Sequence, residues 1–413
     1  MTVIDDFDPI DDPFEAFNRA MGADGDASPY PDFVEFRRNT PMAGGAEELD
    51  AALHTDEPDV SGPQFFTAYS FEAVQTVLGD GDTFTSSGYA EVMGEVFGHS
   101  ILEMDEPEHH HYRSLIQKAF TRKEMQRWET ELVEPLVHRM IDQFVDDGAG
   151  DLIVPLMFPF PVNVIAELMG LPAEDLPLFH RLAVELIGVT VDWDKAVAAS
   201  VRLAEYFGTL VAERRGSDAP DLISVLARAS NDGEVLTDDE IFAFLRLMLP
   251  AGAETTYRSS ANLLFGLLSD RPQYEALVAD RSLMAQATEE GLRWEAPLLI
   301  IVRSARVETE VCGVTVPKDS AIICNLGSAN HDESRWDDPE RFDIFRPRKA
   351  HIAFAHGPHI CLGMHLARME TQVVMNALMD RLPNLRLDPA AGEQFISGMM
   401  FRSPPQMRVL WDT

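Results

Sequence analysis

Cysteine is scarce in this chain: there are three in 413 residues, at positions 312, 324 and 361. Three give no disulfide framework, so a reducing cytosol is expected. Positive charge is short as well, with 33 lysines and arginines against 69 aspartates and glutamates and a formal net charge of −36. That balance argues against nucleic acid as a partner and for high solubility; a saline habitat would favour the same excess. No Gly/Ser-rich linker, repeat or low-complexity tract divides the chain, so one large domain is expected, with an acidic segment over 1–60 packed on a body over 61–413. The start, Met1-Thr2-Val3-Ile4-Asp5-Asp6, is acidic and lacks a signal-peptide core. The one long apolar segment carries Arg246, Glu254 and Arg258, and charges at bilayer depth are costly, which argues against a membrane span. A cytoplasmic protein without an anchor is the expectation.

What is present is a cysteine in a distinctive setting. Residues 354–363 read Phe354-Ala355-His356-Gly357-Pro358-His359-Ile360-Cys361-Leu362-Gly363. Glycines at 357 and 363 permit backbone conformations closed to other residues, so the loop can fold tightly around one sulfur and let a flat cofactor approach. Leu362, Leu366, Met369, Val373 and Ala377 recur at helical spacing. That pattern predicts a helix with Cys361 at its N-terminus, where partial positive charge favours the thiolate. Such a sulfur suits a haem iron. Taken alone, it equally fits a buried thiol acting as a small apolar residue.

Thr237-Asp238-Asp239-Glu240 has the form of a capping box and opens a helix expected to run to about Ser269, on the order of 45 Å at about 1.5 Å per residue. Inside it, Pro250 lacks a donor, Gly252 weakens the turn and Thr255 can bond back to a carbonyl, which predicts a local break in helical bonding across Ala251-Gly252-Ala253-Glu254-Thr255-Thr256. A break facing a cofactor makes room for oxygen; a packing kink is the plainer reading. Glu290 and Arg293 share one helical face, an arrangement worth a few tenths of a kcal/mol if exposed. His109 and Arg113, four apart, also share a face. The run His109-His110-His111 diverges by about 100° per residue, so the three cannot converge on one metal ion, and His110 and His111 are expected to face solvent. Lys118, Arg122 and Lys123, with Arg113 and Arg127, concentrate positive charge locally, which on composition alone fits an ordinary solvated face. Helical periodicity dominates 105–300, whereas 308–326 alternates like a small hairpin holding Cys312 and Cys324 as apolar fillers.

Together these residues resemble the cytochrome P450 family of haem-thiolate monooxygenases. Phe354, Gly357, His359, Cys361 and Gly363 fall on its haem-loop pattern, and the motifs at 105–113, 251–256, 290–297 and 303 agree with it. The resemblance implies a mainly α fold with small β-sheets in one triangular-prism-like domain, and haem b, iron protoporphyrin IX, bound through Cys361. It implies a cofactor cradle of Ala251, Phe354 and Gly363, with His109, Arg113, Arg303 and His359 as charge-assisted donors to the haem carboxylates. Glu290, Arg293 and Arg346, or Arg341 in its place, would form a buried structural network. Thr255 would hydrogen-bond the oxygen and Glu254 would relay protons from solvent.

By the same resemblance, the substrate cavity should draw on 89–97, 186–189, 247–251, 298–302 and 396–401. Val92, Val96, Met248, Ala251, Leu299, Ile300, Met399 and Met400 would line it, for a terpenoid, steroid, fatty or aromatic substrate. Besides O2, the implied partner is a separate ferredoxin-type donor docked on Lys118, Arg122 and Lys123, because no room remains after the cysteine helix for a reductase domain; a monomer is expected. Two alternatives stand beside this reading. A peroxide-driven peroxygenase of the same fold characteristically lacks an acid–threonine pair such as Glu254-Thr255. A non-enzymatic haem protein needs neither the helix break nor an apolar cavity.

Overall fold

The computed structural model describes residues 28–44, 64–190, 192–231 and 233–413. Within 28–44, helix Tyr30–Asn39 and strand Met42–Gly44 pack on the body of the protein. The rest of the acidic segment expected over 1–60 lies outside the described residues. The architecture is mostly helical, with one five-stranded sheet and three smaller ones. Among the described residues, no helix is long and apolar enough to cross a membrane.

The main sheet runs in the order Met42–Gly44, Phe65–Ala68, Ala321–Asn325, Ile300–Ala305, Phe84–Thr85. Phe65–Ala68 pairs parallel with Ala321–Asn325, which in turn pairs antiparallel with Ile300–Ala305 in a register that sets Ile322 opposite Arg303. This corrects the expectation for 308–326. Only Thr309–Val311 and Val314–Val316 form a hairpin, joined by Cys312 and Gly313 at φ of 50° and 84°, the twin positive angles that a two-residue turn requires. Ala321–Asn325 leaves that hairpin to join the main sheet, because Ile322 and Cys324 alternate inward and find a core there. Cys324 is the expected filler; Cys312 is not, since the turn holds it in solvent.

The capping box at Thr237 is formed in both directions: its N–H donates to Glu240, whose own N–H returns to the threonine hydroxyl. The helix then runs Asp238–Leu249, passes through a wider π-turn over Pro250–Glu254, and continues Thr255–Ser269. Its two halves serve two cores. Phe244, Leu245 and Leu249 pack with helices Pro159–Leu168, Leu176–Ile187 and Trp193–Arg214, whereas Leu263, Leu264 and Leu267 pack with the cysteine helix, Met364–Arg381. On that helix Leu366, Val373 and Ala377 are buried, as their spacing predicts.

Glu290 and Arg293, on helix Met284–Trp294, are both buried and joined by two hydrogen bonds of 2.8 Å. Arg346 adds a contact of 3.2 Å to the same carboxylate. Arg341 contributes only its carbonyl, which accepts from both arginines, while its side chain lies in solvent. The guanidinium of Arg293 also donates to the carbonyls of Asn330 and Pro339, so the network ties segment 330–346 to the helix. Removing one partner strands the others as buried charges, a loss of roughly 3–5 kcal/mol. Glu290→Ala and Arg293→Ala should each lower the thermal midpoint sharply and yield little folded protein; normal midpoints in both variants would make the network dispensable.

Candidate active site

The loop around Cys361 is fixed by close backbone contact. Gly357 adopts φ +75°, and a Cβ there would stand 2.2 Å from the carbonyl of Leu78, so only glycine lets the loop lie on helix Phe71–Gly79. Gly363 acts differently from the expectation. Its φ of −82° is open to any residue, and a Cβ there would meet no atom of the chain. What it leaves is space. The Cys361 N–H donates to the Phe354 carbonyl at 2.9 Å, and the cysteine helix begins at Met364, two residues later than its apolar spacing suggests.

Burial pushes the Cys361 thiol up, against the N–H groups of Gly363 and Met364 and the charges of Arg113 and Arg368, which favour the thiolate. The N–H groups at the helix start favour the thiolate, as the sequence suggested, and a coordinated metal would deprotonate such a thiol outright. Phe354 lies under the guanidinium of Arg368, 4.5 Å from its ring centre, and Arg368 is clamped by Glu289 at 2.6 and 2.9 Å. Burial opposes the charge on Glu289, yet His351 and Arg368 hold its carboxyl at about 2.

Four basic side chains from three segments meet beside this loop. His109 and Arg113 come from helix Glu108–Ile116, Arg303 from its strand and His359 from the loop. The rings of His109 and His359 lie 4.0 Å apart, and Arg113 donates to the Ile360 carbonyl at 2.6 Å. Burial, with the charges of Arg303, His109 and Arg113, drives His359 down to about 3. Among the described residues, the carboxylate touching the group is Glu106, 3.1 Å from His109 Nδ1, and His109 Nε2 is buried without a partner. Such a cluster calls for anions from outside the chain. A haem with two carboxylates fits it, with its iron toward Cys361.

At the π-turn of the long helix, Ala251 is exposed and Thr255 half-buried, and the Thr255 hydroxyl donates to the Ala251 carbonyl at 2.7 Å. Glu254 points into the protein instead. It is buried and ion-paired with Arg258, whose guanidinium also donates to Ser403 at 2.9 Å. Its second oxygen, Oε2, has no hydrogen-bond partner. Burial raises the Glu254 carboxyl above its ordinary range, with Arg258 opposing. Nothing about Arg258 was singled out in the sequence beyond its charge, although the i, i+4 spacing to Glu254 was a signal for the pair.

The expected substrate-lining residues divide. Ala251, Ile300 and Met400 keep partial or full exposure, Met248 is nearly covered, and Val92 is 59% exposed. Val96 and Leu299 are corrections. Val96 faces the core, and its carbonyl accepts from Ser200; Leu299 is wedged against Gly327, and its N–H donates to Met400. Neither has surface to offer a ligand. Met399, 81% exposed, stands in solvent at the bend between the paired Ser397 and Ser403.

On the outer face, Lys118, Arg122 and Lys123 are all exposed. Lys118 reaches the Ser230 carbonyl, and among the described residues Arg122 and Lys123 make no ion pair. Arg127 is neutralised by Glu124, and Arg113 turns inward, so both leave this patch. His110 is exposed as expected, while His111 is half-buried and pairs with Glu234; no metal-binding cluster occurs among the described residues.

The family model described as Cytochrome P450 matches residues 188–397. The cytochrome P450 monooxygenase PikC of Streptomyces venezuelae is 33% identical over 91% of this chain and 88% of its own. Mycinamicin IV hydroxylase/epoxidase of Micromonospora griseorubida is 31% identical over 85% and 90%. Among solved structures, CYP109E1 from Bacillus megaterium in complex with testosterone superposes with a TM-score of 0.83 at 27% identity, covering 94% of this chain and all of that one. P450BioI, in complex with an acyl carrier protein ligated to hexadec-9Z-enoic acid, gives 0.81 at 28% identity, covering 93% and 99%. A thiolate-ligated haem has a characteristically red-shifted absorption in its reduced, carbon monoxide form. Cys361→Ser should abolish that band while the purified protein still folds; a variant that keeps it would remove Cys361 as the ligand.

Proposed function

Because this chain belongs to the cytochrome P450 family and is a haem-thiolate monooxygenase, we propose that it oxygenates an apolar small molecule with electrons from a separate ferredoxin-type protein. The haem supplies the redox-active iron at which dioxygen is reduced and split, one atom entering the substrate. Cys361 would donate electron density from below, and His109, Arg113, Arg303 and His359 would hold the two carboxylates. The observation that supports the reading is the π-turn at Pro250–Glu254, which leaves Ala251 exposed and the Thr255 hydroxyl half-buried beside it.

Thr255 would turn its hydroxyl from the Ala251 carbonyl toward the oxygen. Glu254, raised by burial and left with one unpartnered oxygen, would hold a proton close by and pass it on when its bond to Arg258 loosens. The peroxygenase alternative loses support from this acid–threonine pair. The half-exposed Ile300 and Met400 support an apolar substrate, as do relatives named for or solved with testosterone, hexadec-9Z-enoic acid and mycinamicin IV. We further propose that the enzyme works as a cytoplasmic monomer, with Lys118, Arg122 and Lys123 receiving an acidic donor.

Thr255→Ala should leave haem reduction and oxygen consumption intact while diverting reduced oxygen to peroxide. Glu254→Gln keeps the shape but removes the acid, and should slow turnover by about 10²–10⁴-fold with less diversion. Product and peroxide formed per nicotinamide consumed measure both effects, and unchanged values in both variants would reduce the pair to packing. For the donor, reversing Lys118, Arg122 or Lys123 to Glu should slow reduction by a ferredoxin, with the wild-type rate falling as salt rises. Haem spectra should not change. A reduction rate indifferent to both salt and charge reversal would move docking elsewhere.

A further inference from the structure

The interior arginines of this chain are mostly neutralised within it. Arg37 meets Glu333, Arg258 meets Glu254, Arg293 and Arg346 meet Glu290, and Arg402 meets Glu295. Arg113, Arg303 and Arg246 depart from this pattern: none has a carboxylate within ion-pair distance among the described residues. Arg335 lacks one too, but it rests on the Phe71 ring, 3.9 Å from its centre. With 69 acidic residues available, the omission is not a shortage of acids. Arg113 and Arg303 border the cysteine loop and have the haem carboxylates to meet. Arg246 sits elsewhere, on helix Asp238–Leu249, five residues before Ala251, or about 7–8 Å along the axis.

The side chain is held in a built setting. Its Nε donates to the Phe242 carbonyl at 3.2 Å and its Nη1 to the Ser200 hydroxyl at 2.9 Å. Ser200, on helix Trp193–Arg214, donates in turn to the Val96 carbonyl at the end of helix Gly88–Phe97, so three helices orient the guanidinium. Two of its five N–H groups are used, and the other three have no partner among the described residues. Nη2 lies against Gly98, at φ +78°, where a Cβ would stand 2.7 Å away; the glycine keeps that edge clear. Asp239 is felt electrostatically but makes no ion pair with it, and burial lowers the guanidinium's pKa.

We propose that Arg246 recognises a carboxylate on the substrate, on the long helix ahead of Ala251 and Thr255. The inference rests on the apolar-substrate reading and narrows it to amphipathic acids. Their apolar body would extend toward Thr255, nine residues or about 13 Å along the helix. A guanidinium fork matches a carboxylate in two parallel bonds, which makes this a specificity-determining residue and not a catalytic one.

The test measures dissociation constants from the haem absorption shift of the loaded enzyme, using linear fatty acids and 4-alkylbenzoates, each against its own methyl ester. Wild type should bind the acids about tenfold or more tighter than their esters. Arg246→Gln should erase that preference while leaving ester affinity and the carbon monoxide band unchanged, and Arg246→Lys should restore part of it. Esters that bind wild type as tightly as the acids overturn the anchor without any variant, and equal loss for acid and ester in Arg246→Gln does so too. Binding of esters alone would leave the apolar-substrate reading standing and remove the anchor; silence across both series would remove both.

Discussion

Four basic side chains converging with one carboxylate beside them set the terms for the rest of this fold. Burial, reinforced by the neighbouring positive charges, holds the His359 ring neutral. The chain nevertheless holds them together from several directions. The sheet fixes Arg303 by pairing its residue with Ile322, Gly357 seats the loop of His359 on the backbone of Leu78, and Arg113 is tied to the carbonyl of Ile360. Anything that brings two carboxylates to this point relieves the repulsion in the folded state alone, so cofactor loading and stability are linked.

The Glu290 network is the mechanical counterpart of that cluster. It joins a helix to the segment 330–346, which leads into the cysteine loop, through one carboxylate, two guanidinium groups and several carbonyls. Nearly every polar atom in it is matched, the condition under which buried charge is tolerated. The clamp of Arg368 between Glu289 and Phe354 repeats the principle nearer the sulfur.

Features written locally were legible in the sequence. The capping box at Thr237, the helix break at Pro250 and the glycine at 357 each depend on residues within one or two turns, so spacing carried them. The long-range pairings were not. Arg346 could be matched to Glu290 only by resemblance, across 56 positions. The buried set of Glu295, Arg402 and Tyr30 joins residues more than a hundred positions apart and left no local trace. Facing direction was the other loss: Val96 and Leu299 are apolar like their neighbours, and only packing decides that they turn to the core while Ile300 does not. Cys312 misled for a related reason, since its neighbours alternate like a strand and the turn geometry appears only in the backbone angles.

Buried charge in this molecule falls into three grades, and the grade tracks the use. Where compensation is complete, as at Glu290, both carboxylate oxygens are tied to their surroundings, and the group serves structure. Where it is partial, as at Glu254, one oxygen is paired and the other has no partner among the described residues, with burial favouring the protonated form, as the proposed relay requires. Where it is missing, as at the buried Arg303 and the half-buried Arg113 and Arg246, no carboxylate of the described residues lies within ion-pair distance of the guanidinium. A guanidinium held by its neighbours, with free N–H groups aimed away from them, selects a planar anion by geometry before any affinity is considered. Under the proposed function, the degree of compensation around each ion separates scaffold, proton handling and ligand recognition in a chain whose overall charge is strongly negative.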